Sequence, residues 1–228
     1  MDEEPRSGGD VNLPDENGYT PLHWACQEGR LEAARLLIQH GADISREDND
    51  GFCPLEISST KGHAKIVAML ISRGADVNRS RGGFTALHAG AAAGHEDVVS
   101  VLLRNGAGVN IKDDNGVGRA PLHWAAQECL PKVAELLLTS GADVDPQDEE
   151  GFTPLVVAVA EGCREIVELL VRNGADVNIR VSGNGHGTPL HSAVAWGHQD
   201  IAQFLMQEGA DATLTDEDGN TAFDIRPS

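Results

Sequence analysis

A short string of residues returns along this chain at a nearly constant interval. The copies begin 32 to 35 residues apart and read TPLH, CPLE, TALH, APLH, TPLV, TPLH and TAFD. Their first residues are Thr20, Cys53, Thr85, Ala120, Thr153, Thr188 and Thr221. A second string, GADV or a close variant, keeps the same step and begins at Gly41, Gly74, Gly106, Gly141, Gly174 and Gly209. Two markers in phase predict a repeat architecture whose units bury their apolar faces against one another.

Each unit has the local pattern helix, turn, helix, hairpin. In the first complete unit Thr20 is a favourable N-cap, and Pro21 suits the first helical position, where its missing N–H costs nothing. Apolar residues at helical spacing predict a second helix over 31–38, and Gly41 ends it. The residues DNDG at 48–51 predict a turn, with glycine supplying the positive φ.

These phased motifs resemble ankyrin repeats over residues 8–225. The resemblance implies an all-α repeat solenoid of stacked antiparallel helix pairs with projecting β-hairpin fingers. It also implies protein binding on the concave face formed by the hairpins and first helices, without enzymatic activity. Residues 1–7 are predicted to be a flexible acidic segment and residues 8–228 a single array. The array is predicted to comprise a partial repeat 8–19, full repeats starting near 20, 53, 85, 120, 153 and 188, and a partial repeat from 221.

Charge and composition exclude several classes of partner. The chain has 36 Asp and Glu against 17 Lys and Arg, a net charge of −19. Nucleic acid is not an expected partner, because phosphate contacts need clustered Lys and Arg. No apolar run reaches the roughly eighteen residues of a membrane span, so no membrane insertion is expected. The resemblance implies another protein as partner, and the acidic charge suits a basic or mixed-charge segment of it. No cofactor and no small-molecule ligand is expected.

Seven of the nine histidines fall into two repeat-linked sets. The first set ends the TPLH-type strings and comprises His23, His88, His123 and His191. The resemblance implies that these side chains hydrogen-bond between a helix start and a hairpin. The second set follows the mid-repeat glycine and opens the second helix, at His63, His95 and His198. Because members of a set lie one repeat apart, the sequence predicts no metal site and no catalytic histidine.

The four cysteines show neither a CxxC motif nor zinc-ligand spacing. They are therefore predicted to be reduced thiols in an intracellular protein, cytoplasmic or nuclear. Cys26 holds a small position in a first helix and is expected to be buried. Cys129 replaces a mid-repeat glycine and Cys163 follows one, and both are expected to be partly exposed.

Four aromatic residues share the repeat position between the turn glycine and the helix cap: Tyr19, Phe52, Phe84 and Phe152. In ankyrin repeats this position faces the binding side, and aromatic rings there offer large contact area at low entropy cost. Hairpin-to-hairpin packing is the alternative explanation, and the sequence leaves both open. Trp24 and Trp124 are expected to pack between helices instead.

Further candidate binding residues lie at helix ends and on the fingers. Trp196 stands at the end of a first helix, in line with Lys61, and is predicted to be a binding anchor. Asp114 and Glu150 belong to acidic finger tips and are predicted to form a charged rim, although solubility alone would explain them. His186 lies in the glycine-rich tip SGNGHG, which is interpreted as a flexible finger because no phosphate-binding GK[ST] follows.

Two asparagines are candidates for modification. Asn78 and Asn178 end the strings LISRGADVN and LLVRNGADVN, with a leucine eight residues before each. These strings resemble the sites at which asparaginyl hydroxylases modify ankyrin repeats. The alternative is that asparagine simply suits the hairpin.

The sequence therefore predicts a protein–protein interaction scaffold and not an enzyme. The alternative is that these repeats are a passive part of a larger multidomain protein, such as a channel, an enzyme or a ubiquitin-ligase adaptor. Additional domains would favour the alternative.

Overall fold

The computed structural model describes residues 9–114, 116–181 and 187–225. Within these ranges the chain forms twelve α-helices arranged as pairs. The first helices are α1 (Pro21–Gln27), α3 (Pro54–Thr60), α5 (Ala86–Ala92), α7 (Pro121–Gln127), α9 (Pro154–Ala160) and α11 (Pro189–Ala195). The second helices are α2 (Leu31–Gln39), α4 (Ala64–Ser72), α6 (Glu96–Arg104), α8 (Pro131–Thr139), α10 (Arg164–Arg172) and α12 (Gln199–Gln207). The predicted flexible segment, residues 1–7, lies outside the described residues.

Helix boundaries follow the residues expected to set them. The hydroxyl of Thr20 accepts a hydrogen bond from the His23 N–H at 3.4 Å, and Pro21 occupies the first position of α1. Gly29, with a φ of 67°, turns the chain from α1 into α2, and Gly41, with a φ of 90°, ends α2. Only glycine adopts such angles without strain, so these positions fix the helix–turn–helix unit.

The chain divides into two compact units. The first comprises residues 1–81 and 85–107, and the second comprises residues 82–84 and 108–228. In the first unit α1, α3 and α5 pack side by side, and α2, α4 and α6 form a second row behind them. Leu22, Leu55 and Leu87 are fully buried between the rows.

The second unit is built in the same way. Helices α7, α9 and α11 pack side by side, followed by a 3₁₀ helix (Ala222–Asp224), and α8, α10 and α12 lie behind them. Leu122, Leu155 and Leu190 are buried from the first-helix row, and Leu137 and Leu170 from the second. The predicted all-α repeat fold of antiparallel helix pairs is confirmed.

The fingers are held mainly by side-chain carboxylates. The Oδ1 atom of Asp48 accepts from the N–H groups of Asp50 and Phe52, both at 2.9 Å, and closes the turn. In the described part of the chain, regular strand pairing is limited to β1 (Ser80–Arg81) with β2 (Phe84–Thr85) and to two isolated bridges. The predicted fingers are therefore turns with little β-ladder.

Asparagine side chains tie several fingers to the next repeat. In the first unit Asn12 donates to the Gly41 carbonyl at 3.1 Å and accepts from the Asp43 N–H at 2.7 Å. Asn110 and Asn178 make the same two contacts in the second unit. We call this two-bond contact an asparagine bridge.

Candidate functional site

In the second unit a groove of about 180 Å³ lies along the first helices on the finger side. Phe152, before α9, and Trp196, after α11, both line it, and α9 contributes Val156, Val157 and Ala160. Its polar lining consists of Arg119, Gln127, Glu161 and Ser192. We call these nine residues the aromatic groove. Two of the predicted binding residues thus lie on one concave surface.

Trp196 is the most exposed large side chain of the aromatic groove. It is the C-cap residue of α11, and 59% of its surface is accessible to solvent. Lys61 and Glu161 are the C-cap residues of α3 and α9, which confirms the predicted repeat position. An apolar side chain at this exposed helix end packs little of its area within the unit.

Electrostatics at the groove depend on Arg119. Its Nε lies 3.4 Å from the Asp148 carboxylate, its Nη1 donates to the Gln127 side chain, and its guanidinium lies 5.8 Å from the Trp124 ring centroid. Asp148 has no exposed side-chain surface, so Arg119 compensates a buried charge. Exposed Glu161 then supplies negative charge at the groove.

The expectation that Trp124 packs between helices is wrong. Its Nε1 donates to the Asp113 carboxylate at 2.9 Å, and its ring meets Phe84 edge-on with centroids 6.0 Å apart. The ring is therefore held against the finger. Phe84, the third predicted aromatic of this unit, is half-buried in that contact.

The first unit repeats this arrangement. The Nε1 of Trp24 donates to Asp15 at 3.0 Å, and its ring lies 5.2 Å from the ring of Tyr19. Trp24 is 45% exposed, so it too lies on the finger side instead of between helices. The sequence did not predict that both tryptophan rings lie against the fingers. The signal was an aspartate in the preceding turn of each.

An open depression of about 380 Å³ adjoins this pair and includes Gln27, Asn49 and Asp50 in its lining. Burial raises the pKa of Tyr19, and nearby carboxylates, Asp48 first among them, raise it further. The phenol therefore stays neutral and acts as a hydrogen-bonding group at this surface.

The remaining predicted site residues occupy separate places. Phe52 is half-buried, with the Arg81 guanidinium 5.4 Å from its ring centroid. Lys61, Asp114 and Glu150 are exposed.

The predicted His186 lies outside the described residues.

The TPLH histidines have the structural role expected of them. Nδ1 of His123 accepts from the Ala120 N–H at 3.1 Å, and its Nε2 lies 3.0 Å from the Phe152 carbonyl. Nε2 must donate to that carbonyl, so the ring is neutral. Burial lowers the pKa of both His123 and His23, because it penalises the charged ring. Within the described ranges, no group of three or more His, Cys, Asp or Glu residues is placed to hold a metal ion.

A family model for ankyrin repeats (three copies) matches residues 6–81, 78–148 and 122–216. The chain belongs to the ankyrin repeat family. A crystal structure of the human ASB11 ankyrin repeat domain superimposes with a TM-score of 0.81, at 28% identity, covering 90% of this chain and 91% of that one. The scaffold protein ILK of Homo sapiens and of Mus musculus is 50% identical over 32 residues, which is 14% of this chain and 7% of each relative. That match spans far less than two thirds of either relative.

In the second full repeat the TPLH histidine is missing, and other contacts take its place. Glu56 replaces the TPLH histidine of the second full repeat, and its Oε2 accepts from the Cys53 N–H at 2.8 Å. Arg79 pairs with the same carboxylate at 3.2 Å and with Glu47. An ion pair therefore replaces the histidine that links helix and finger in other ankyrin repeats.

The cysteines divide into two pairs. Cys26 and Cys53 are free and buried, and burial raises the pKa of the Cys26 thiol to about 12. The prediction of reduced thiols is wrong for Cys129 and Cys163, which form a disulfide. Cys129 is exposed as expected, whereas Cys163 is only 7% exposed.

No helix among the described residues has the length and apolar character needed to cross a bilayer.

Proposed function

We propose that this ankyrin repeat protein is a non-catalytic interaction scaffold whose aromatic groove binds a segment of another protein. The carrying observation is the position of Trp196, 59% exposed at the edge of a groove that also contains Phe152. Exposed tryptophans beside shallow apolar surfaces are typical anchors of protein interfaces, because covering them removes a large area from water.

Charge defines the chemistry of the partner. Arg119 is already paired with Asp148, so exposed Glu161 determines the sign of the groove. Asp114 and Glu150 add negative charge at the finger tips, and the whole chain carries −19. We therefore assign to the partner an apolar side chain that covers Trp196 and an adjacent Lys or Arg that pairs with Glu161.

The first unit offers a second contact region in the same proposal. Tyr19 and Phe52 lie at the bases of two fingers of that unit, and Lys61 is exposed at the end of α3. The depression beside Tyr19 and Trp24 is lined by amide and carboxylate groups that suit hydrogen bonds from a polar segment. We assign the interaction to the inside of the cell, cytoplasmic or nuclear, in line with the ankyrin family and the two free thiols.

A displayed random-peptide library tests the proposal directly, because the selection itself finds the sequences that bind. Peptides are selected on the wild-type protein alone, and each enriched peptide is then measured against the variants. Enriched peptides should carry an aromatic or aliphatic residue next to Lys or Arg. Their affinity should fall about 30-fold or more for Trp196→Ala, the usual scale for a desolvated anchor. Glu161→Lys should reverse the preference for basic residues.

The matched control is Met206→Ala, which removes a 41% exposed apolar side chain from α12. It should leave peptide affinity and thermal stability unchanged within error. The proposal is wrong if selected peptides bind Trp196→Ala normally but lose affinity for Met206→Ala. Phe152→Ala distinguishes recognition from packing, because a packing role lowers the melting temperature along with affinity.

A further inference from the structure

Three junctions between successive repeats share one contact near the mid-repeat turn. The Nε2 atom of His63 lies 3.1 Å from the Gln27 carbonyl, and its ring fills the space beside Gly29. A Cβ on Gly29 would lie 2.6 Å from that ring, so the ring would have to move. His95 with Gly62, and His198 with Gly162, repeat the arrangement at Cβ distances of 2.7 and 2.6 Å. Glycine and histidine are thus a matched pair at these junctions.

At one junction of the second unit, both the glycine and the histidine are replaced by cysteine. Cys129 stands at the glycine position of its repeat and Cys163 at the histidine position of the next, and the two are bonded with Cα atoms 5.5 Å apart. Cys129 keeps the backbone angle of the glycine, with a φ of 52°, and is the one non-glycine residue with positive φ in the described ranges. Such an angle disfavours a residue with a side chain. The double exchange indicates a junction built for a thiol pair.

We propose that the Cys129–Cys163 pair is a reversible thiol–disulfide switch that controls the junction between the fourth and fifth full repeats. Exposed Cys129 is the entry point. Its thiolate attacks a small disulfide of the glutathione class, forming a mixed disulfide and releasing one small thiol. Buried Cys163 then displaces the second small thiol and closes the internal bond. Two protein thiols lose two electrons and two protons overall, and the small disulfide gains them.

Reduction leaves this junction weaker than its neighbours. Neither the covalent bond nor the histidine-to-carbonyl hydrogen bond is then present, and Cys129 still carries an unfavourable backbone angle. Gln127 and Glu161, which line the aromatic groove, each lie two residues before one of the cysteines. The oxidised form therefore fixes two walls of the groove relative to each other. This effect on the groove rests on the proposed function, whereas the effect on the junction does not.

The experiment uses the full chain in glutathione buffers of varied oxidation. Alkylation of free thiols followed by mass spectrometry should show the Cys129–Cys163 bond opening and closing reversibly, while Cys26 and Cys53 stay reduced. Amide exchange over residues 126–131 and 161–166 should become at least about tenfold faster on reduction. Exchange over residues 28–33 and 60–65, at junctions held by histidines, should not respond.

The matched control restores the standard pair. Cys129→Gly with Cys163→His should exchange slowly in every buffer, because the ring and the missing Cβ fit each other. Cys163→His alone should destabilise the junction, because the ring meets the Cys129 Cβ. The switch is refuted if the bond fails to form at any buffer ratio or if reduction leaves amide exchange unchanged. A change in amide exchange without any effect on the affinity of selected peptides would refute the effect of the switch on the aromatic groove, whereas the binding site itself is tested by Trp196→Ala.

Discussion

The Nη1 atom of Arg79 lies 3.2 Å from the Oε2 atom of Glu56, a carboxylate with only 2% of its side chain exposed. Burial raises the pKa of Glu56, while the Cys53 N–H and Arg79 oppose that rise. Removing the cation should therefore leave a buried charge without compensation. Arg79→Met should lower the free energy of unfolding by about 3 kcal/mol in urea denaturation at pH 7.

The Glu56–Arg79 pair also predicts how the stability of Arg79→Met depends on pH. A carboxyl whose folded pKa is raised stabilises the fold below its ordinary value of 4.5, and that stabilisation is lost as pH rises through the folded pKa. The deficit of Arg79→Met should consequently shrink as pH falls, because protonated Glu56 needs no cation. Arg46→Met, at an exposed arginine, is the control and should cost little at any pH. Equal deficits for the two variants would contradict the role of the ion pair.

Buried neutral histidines should make both units sensitive to acid. Burial lowers the pKa values of His23 and His123 below the ordinary value of 6.5. Their contribution to stability is present above 6.5 and is lost as pH falls through the folded pKa values. Melting temperature should therefore drop between about pH 7 and pH 5, and His123→Gln should reduce the slope. Nitrogen chemical shifts showing His123 protonated at about pH 6.5 would contradict this expectation.

Asp145 occupies an asparagine-bridge position without completing the bridge. Its Oδ2 accepts from the Asp176 N–H at 2.9 Å, but its Oδ1 is buried without a hydrogen-bond partner. An asparagine amide there should donate to the Gly174 carbonyl, as Asn178 does to a glycine carbonyl one repeat later. Asp145→Asn should therefore stabilise the protein by about 1 kcal/mol at pH 7.

Burial raises the pKa of Asp145, so the cost of its charge should disappear at acid pH. The gain from Asp145→Asn should narrow accordingly when unfolding is measured near about pH 4. Asp143→Asn, at an exposed carboxylate, should give no comparable gain. A neutral or destabilising Asp145→Asn would show that the bridge needs no donor at this position.

Hydroxylation of Asn78 and Asn178 stays a prediction, and the structure adds that a hydrogen bond of each side chain must open first. Each side-chain amide donates to a glycine carbonyl at 3.1 Å, to Gly106 and Gly209 respectively. A hydroxylase must break that bond, so modification should be faster in variants that open the finger. Mass spectrometry after incubation with an asparaginyl hydroxylase, iron, oxygen and 2-oxoglutarate should show one added oxygen per site. Unmodified asparagines in an opened variant would exclude the modification.

Most of the fold could be predicted from the repeat period of the sequence. The repeat period predicted the helix pairs and the helix-end position of Trp196, and the resemblance to ankyrin repeats implied the hydrogen bonds of the TPLH histidines. These features depend on contacts that most repeats share, so the same pattern occurs several times in one sequence.

What the sequence did not reveal depends on pairs of residues in different elements. Trp24 and Trp124 turn toward the fingers because Asp15 and Asp113 accept their N–H groups, and the course of a loop is not contained in helical spacing. The Cys129–Cys163 bond is not visible when each cysteine is compared with its own repeat position only. A comparison of pairs of positions in neighbouring repeats would have shown that Cys129 and Cys163 stand where a glycine and a histidine are in contact at other junctions.

The asparagine bridge has a consequence for how such a chain changes over generations. Asn12 and Asn178 contact main-chain atoms of the following repeat through these bridges. Main-chain atoms are the same in every residue, so the bridge does not depend on which repeat comes next. A gene can therefore lose, duplicate or exchange whole repeats without matching new side chains at these contacts. The number of repeats can vary among related proteins while each remaining repeat keeps its own surface.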